Sequence, residues 1–238
     1  MAKGLCELPK PSWFAVGDFS IKLEYNDGRA KWLEVSPERM LRAPSCVFWV
    51  TACALMAGTG THSPSKLTVV MDFQGSPSPR ALSAMERETE GILKPAGLSL
   101  GWRLATDAAR ESFEDLVVVE FKGACQFDPV PYVYDELGPM AFTHSSDGNV
   151  QPFAEVSCSK VAASVSSALE GEGFPKADAL FGRALGRVLA HELVHVLTGS
   201  EAHGREGVQR AALSGKDLIS SALVLSPADL ARLREVRK

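Results

Sequence analysis

Apolar and polar residues alternate over residues 19–35, on both sides of Asp27-Gly28, and that pattern predicts a β-hairpin with a two-residue turn. A second β-rich run, Lys-Leu-Thr-Val-Val-Met-Asp-Phe over residues 66–73, predicts a strand. From Ser78 the period changes. Ser78 followed by Pro79 reads as a helix cap and first turn, and Leu82, Met85, Thr89 and Ile92 then fall on one helical face. Residues 98–104 and 116–121 return to strand character, and the second run is nearly all apolar, as a central strand should be. Over residues 179–190, Phe181, Leu185, Val188 and Leu189 recur at helical spacing, and Gly199 is placed to end that helix. Ser214 with Asp217, and Ser226 with Asp229, read as capping boxes opening two short helices near the end of the chain. Strand, helix, strand, strand and a late helix together predict an α+β domain.

Chemistry enters on the late helix. His191-Glu192-Leu193-Val194-His195 puts two imidazoles at i and i+4, about 40° apart on one helical face, so both can reach one ion. Glu192 flanks that face as a candidate general base. At this His and Glu content the pattern arises by accident in fewer than ~1% of chains of this length. A buried helix bearing these groups without a metal would bury polar atoms lacking partners. Zinc is the expected ion, and a third protein ligand is then required. The chain has five histidines, His62, His144, His191, His195 and His203. His203, flanked by turn-forming residues just past the helix end, is the candidate, with Glu201 and Glu206 as the alternatives.

These residues resemble the zincin metalloproteases, and within them the metzincin branch, whose pattern is H-E-x-x-H-x-x-G-x-x-H. Two departures stand out. In strict register the glycine position holds Thr198 and the third-ligand position holds Glu201, so Gly199 and His203 arrive one and two residues late. No methionine follows Met140, although metzincins carry a methionine turn below the metal; residues 207–214 are the segment that could occupy its place. The resemblance implies a zincin-like mixed twisted sheet with a backing helix and an active-site helix. It also implies that residues 138–144 form an edge strand along the cleft, able to hold an extended peptide by β-augmentation, with a plain edge strand as the alternative; His144 would then face the cleft or be a surface residue.

Toward the N-terminus the segment from Met40 to Gly58 has an Arg, about a dozen apolar or small residues, and small residues at its end. That is the anatomy of a secretory signal peptide, too short to span a bilayer as a stable helix. The expected organisation is therefore an N-terminal extension of doubtful status at 1–39, a signal peptide at 40–58 and the zincin-like domain at 59–238. A mis-assigned start at residue 1 would explain the signal peptide's position, whereas the hairpin in residues 19–35 favours a buried segment of an intracellular protein. Val50-Thr-Ala-Cys53 also resembles a lipoprotein cleavage box. Removing residues up to 58 leaves two cysteines, Cys125 and Cys158, which in an oxidising compartment read as a disulfide.

Composition narrows the partners. Apolar content of 45% and charged content of 23% describe an ordinary globular chain, and a net charge of −4 leaves no basic footprint for nucleic acid. Residues 145–149, rich in oxygen ligands, read first as a hairpin turn and second as a calcium loop. Tyr132 and Tyr134 are candidate oxyanion donors, or residues of an ordinary proline-flanked loop. Arg183 and Arg187 are expected on the solvated face of the active helix, or paired with nearby acids. The sequence thus predicts an exported zinc endopeptidase with His191, His195 and His203 on Zn2+, Glu192 as base, and a peptide or protein substrate. The rival expectations are an inactive peptide- or wall-binding module, and a zinc hydrolase of a non-peptide bond.

Overall fold

The computed structural model describes residues 66–108, 111, 113, 115–127, 138–169 and 176–236, together with three strands nearer the N-terminus. Those strands, β1 (Ser12–Val16), β2 (Phe19–Asn26) and β3 (Arg29–Val35), form an antiparallel sheet in that order. Asn26 faces Arg29 across the β2–β3 pair, which leaves the two-residue connection that the alternation predicts. Residues 40–58, expected as a signal peptide, and Tyr132 and Tyr134 lie outside the described residues. Among the described residues no helix is long and apolar enough to cross a membrane.

The second sheet has five strands, β4 (Lys66–Phe73), β5 (Ser99–Leu104), β6 (Leu116–Lys122), β7 (Ala141–Ser146) and β8 (Asn149–Ser157). Their order is β5-β4-β6-β8-β7; the first four run parallel and β7 runs antiparallel at the edge. The expected mixed sheet is therefore present and mostly parallel. Its central strands β4 and β6 bury side chains on both faces: Val69 and Val119, but also Val70 and Val118, are fully buried. Such strands need continuous apolar runs, which is why the alternation seen in β2 and β3 is absent from them.

Helix α1 (Pro79–Leu93) starts as predicted, with the Ser78 hydroxyl accepting from the Ala81 N–H. Beyond α2 (Ala105–Ala108) and β8 come α3 (Cys158–Ala168), which the sequence reading missed, and α4 (Ala177–Thr198). Two short C-terminal helices follow, α5 (Gly215–Ile219) and α6 (Pro227–Glu235). At α5 the capping box is complete, with Ser214 and Asp217 bonding each other's backbone N–H. At α6 the Ser226 hydroxyl accepts from the Asp229 N–H, and the Asp229 carboxylate takes the Ser226 hydroxyl and the Arg232 guanidinium.

Helix α1 lies directly on α4. A Cβ on Gly182 would come within 2.2 Å of the Ala81 carbonyl oxygen, and one on Gly186 within 2.6 Å of the Met85 carbonyl oxygen. Glycine at both positions is what lets the two backbones meet. The Ser78 hydroxyl donates to the Asp178 carboxylate at one end of the contact, and Thr89 donates to the Gly186 carbonyl at the other.

Of the two expectations for Arg187, pairing with an acid holds and a solvated face does not. Its side chain has no solvent exposure. It donates to Glu88 Oε1 at 2.7 Å, to the Asp217 carbonyl at 2.6 Å, and to the Ser220 hydroxyl and carbonyl at 2.8 and 2.9 Å. The guanidinium fork thus ties α4 to α1 and to the turn after α5. Arg183 is partly exposed and donates to the carbonyls of Ile219 and Ser220. Cys125 and Cys158 are disulfide-bonded, with Cα atoms 5.1 Å apart and a sequence separation of 33. The bridge joins the segment after β6 to the first residue of α3, and it is compatible with an oxidising compartment.

Candidate metal centre

His191 and His195 sit near the end of α4, where the helix stops in an arrangement that also serves the site. Gly199 adopts φ 58°, the left-handed conformation that glycine takes without penalty. Its N–H bonds the Val196 carbonyl, and the Ser200 N–H bonds the His195 carbonyl, the pair that defines a Schellman turn. The same turn aims the Ser200 carbonyl at His195, whose Nδ1 lies 2.6 Å from it. His191 Nδ1 lies 2.8 Å from the Val208 carbonyl.

A carbonyl oxygen can only accept, so both Nδ1 atoms carry the proton. The Nε2 atoms of the two neutral rings then present lone pairs, and they face each other at 3.0 Å. Nothing in that contact is a donor unless one ring is charged. Burial opposes the charge: it pushes His191 down to about 4, and it lowers His195 as well. Two lone pairs held this close are the donor set for a shared cation. Zinc–nitrogen bonds of about 2.0–2.1 Å in tetrahedral geometry place two nitrogens about 3.3 Å apart, near the separation found.

His203 completes the triangle. Its ring centroid lies 5.1 Å from that of His191 and 4.9 Å from that of His195, and one ligand nitrogen from each ring lies within 4.8 Å of the others. The three histidines together can hold a metal ion, and the orienting carbonyls on two of them suit ligation. Of the alternatives for the third position, Glu201 lines the cleft but is outside this cluster. Glu206 instead precedes a 3-10 turn over Gly207–Gln209.

Glu192 lies beside the histidines with 5% exposure. Burial raises its carboxyl to about 7, partly offset by a 2.7 Å hydrogen bond from the Thr143 hydroxyl to Oε2. Thr143 belongs to β7, so the edge strand and the active helix meet at this carboxylate. The cleft above them has a volume of about 510 Å³. Met140, Phe142 and Thr143 line it together with Arg210, Ala212 and Leu213. Within residues 207–214, the Val208 carbonyl meets the His191 ring and the Gln209 amide meets its backbone carbonyl.

Other expectations resolve around this cleft. His144 is packed between Phe142 and Phe153, at centroid distances of 4.8 and 4.6 Å, and does not line it. Residues 145–149 form the β7–β8 hairpin, with Asp147 and Gly148 both at positive φ as a tight primed turn requires. Sequence reasoning missed Thr143, Ser200, Val208 and Gln209 as supports of the site. Two of the four act through backbone carbonyls, which leave no residue-type signal at all.

No protein-family profile and no curated protein sequence matches the chain. Among solved structures it is similar to the crystal structure of archaemetzincin from Methanopyrus kandleri, at 12% identity and a TM-score of 0.45. The match covers 72% of this chain and 95% of that one. A superposition this loose establishes neither family nor activity.

Proposed function

We propose that the protein is a zinc-dependent hydrolase acting on peptide bonds, and the observation that carries this reading is the triangle of histidine nitrogens beside a buried, hydrogen-bonded carboxylate. His191, His195 and His203 would hold the ion. When bound, zinc supplies Lewis acidity that polarises a carbonyl and lowers the pKa of a water to about 7. Glu192 takes the proton of the attacking water and returns it to the leaving nitrogen as the C–N bond breaks. Thr143 fixes Oε2 of that carboxylate and leaves Oε1 to exchange the proton. The outer side of β7 pairs with no strand among the described residues, so an extended substrate can add there and lie along the cleft. The disulfide supports an exported protein.

The test uses the full chain, purified under oxidising conditions, with zinc content and peptide hydrolysis measured with and without a chelator. About one zinc per chain and chelator-sensitive cleavage are expected. Glu192→Ala should keep the metal and slow hydrolysis by about 10²–10⁴-fold, the usual worth of a general base. Full activity in that variant overturns the mechanism. His203→Ala should lose zinc, and unchanged occupancy would move the third ligand to Glu201 or Glu206. A zinc-loaded chain that cleaves no peptide points to a binding module.

A further inference from the structure

We infer that Gln209 is a positioning residue for the metal centre, tying the helix that carries His191 to the loop that carries His203. The inference rests on the reading of the three histidines as metal ligands. Gln209 is buried, at 1% exposure, and its Nε2 donates to the His191 backbone carbonyl at 2.7 Å. The preceding residue, Val208, is fully buried and gives its carbonyl to the ring of that same histidine. Two consecutive residues therefore grip His191 at its backbone and at its ring, so the ring's angle is registered against its own helix. On the other side, the Gln209 carbonyl accepts the Gly204 N–H at 2.8 Å, immediately after His203. His203 is itself exposed, and this bond on the residue after it is what ties its loop to residues 208–209; on the other side the Ala202 N–H donates only locally, to the Ser200 hydroxyl. The segment is anchored below by the Val208 N–H on the Val224 carbonyl at 3.0 Å.

Stability alone does not explain a glutamine here. Its Oε1 is buried and has no hydrogen-bond partner among the described residues, which is costly for an amide. The carbonyl that Nε2 reaches lies inside α4, where the helix already supplies a donor. A methionine would fill similar space without the orphaned oxygen. What it would lose is the tether between residues 208–209 and His191.

The experiment compares the full-length protein with Gln209→Met, both stripped of metal. Zinc affinity is read by competition with a chromophoric chelator, ligand geometry by the visible absorption of the cobalt-loaded protein, and folding by thermal unfolding of the metal-free chain. Gln209→Met should weaken zinc binding by about 10–100-fold, the usual loss on removing a group that orients a metal ligand. It should also alter the cobalt spectrum while leaving the metal-free unfolding temperature unchanged or higher. Unchanged affinity and spectrum overturn the inference, and so does a lower unfolding temperature with unchanged affinity, which would make Gln209 a packing residue. If Gln209→Met does not fold, Gln209→Asn carries the same expectation, because its amide is one methylene short of the His191 carbonyl. Failure of the wild-type protein to bind zinc or cobalt is a separate result, seen before any variant, and removes the metal reading itself.

Discussion

Replacing Arg187 should cost the protein about 3 kcal/mol, although nothing in the sequence marks it as buried. The side chain has no exposure and makes four hydrogen bonds to Glu88, Asp217 and Ser220. Breaking a buried charge pair typically costs about 3–5 kcal/mol, mostly because the partner charge is stranded. Here the stranding is incomplete. Glu88 keeps 24% exposure and a second cation, with Arg183 Nε at 3.8 Å. The Ser220 carbonyl keeps Arg183, and the Asp217 carbonyl keeps the Ser220 hydroxyl. The lower end of the range is therefore the expected cost of Arg187→Met, and Arg187→Ala should cost more because it also opens a cavity. For a domain of this size each kcal/mol moves the unfolding temperature by about 2–4 °C, so Arg187→Met should melt about 6–12 °C below wild type. Arg187→Lys should fall between the two, since an ammonium cannot engage a carboxylate and two carbonyls in one plane. Thermal unfolding of the metal-free chains measures this, and a Glu88→Gln cycle isolates the pair. A drop under about 2 °C for Arg187→Met would refute the account of Arg187 as the pin between α1, α4 and α5.

Two further outcomes follow from the same structure. Removing the Cys125–Cys158 bridge, by Cys125→Ala with Cys158→Ala, frees a loop whose ends are separated by 33 in sequence and should lower the unfolding free energy by about 3–4 kcal/mol on chain-entropy grounds. Urea unfolding tests it, and a loss under about 1 kcal/mol would remove the bridge as a stabilising element. Asp217 is held down at about 2 by the Ser214 hydroxyl and N–H, with help from Arg210. Its folded value lies below the ordinary 3.8, so its contribution is present above about pH 4 and fades as pH falls toward 2. The stability gap between wild type and Asp217→Asn should therefore be flat above pH 4.5 and shrink below it. A gap that stayed constant down to pH 2.5 would contradict this.

Much of the site's local architecture was legible in the sequence, because it depends on neighbours a few residues apart. Helical period placed His191, Glu192 and His195 together, Gly199 marked where that helix ends, and Ser78-Pro79 marked where α1 begins. Asp147-Gly148 specified the hairpin that makes β7 an edge. The Ser214–Asp217 box was equally local. The cysteine pairing could be read for a different reason: once the chain is taken as exported, only two remain.

The tertiary structure decided whatever depends on where a loop travels or which distant group arrives. His203 was the candidate third ligand in the sequence, but Glu201 and Glu206 stayed open as alternatives, since a loop has no period that fixes which side chain turns back toward the helix. For Arg187 the sequence left a solvated face and an acid pair both open, because its acceptors lie 99, 30 and 33 residues away and only packing brings them together. Thr143 meets Glu192 only because β7 is folded against α4, 49 residues apart in sequence. The carbonyls of Ser200 and Val208 orient the two helical histidines, and every residue has a carbonyl. Periodicity therefore determined which groups the chain could offer a metal, while the long-range packing of α4 against β7 and residues 203–213 determined which of them meet.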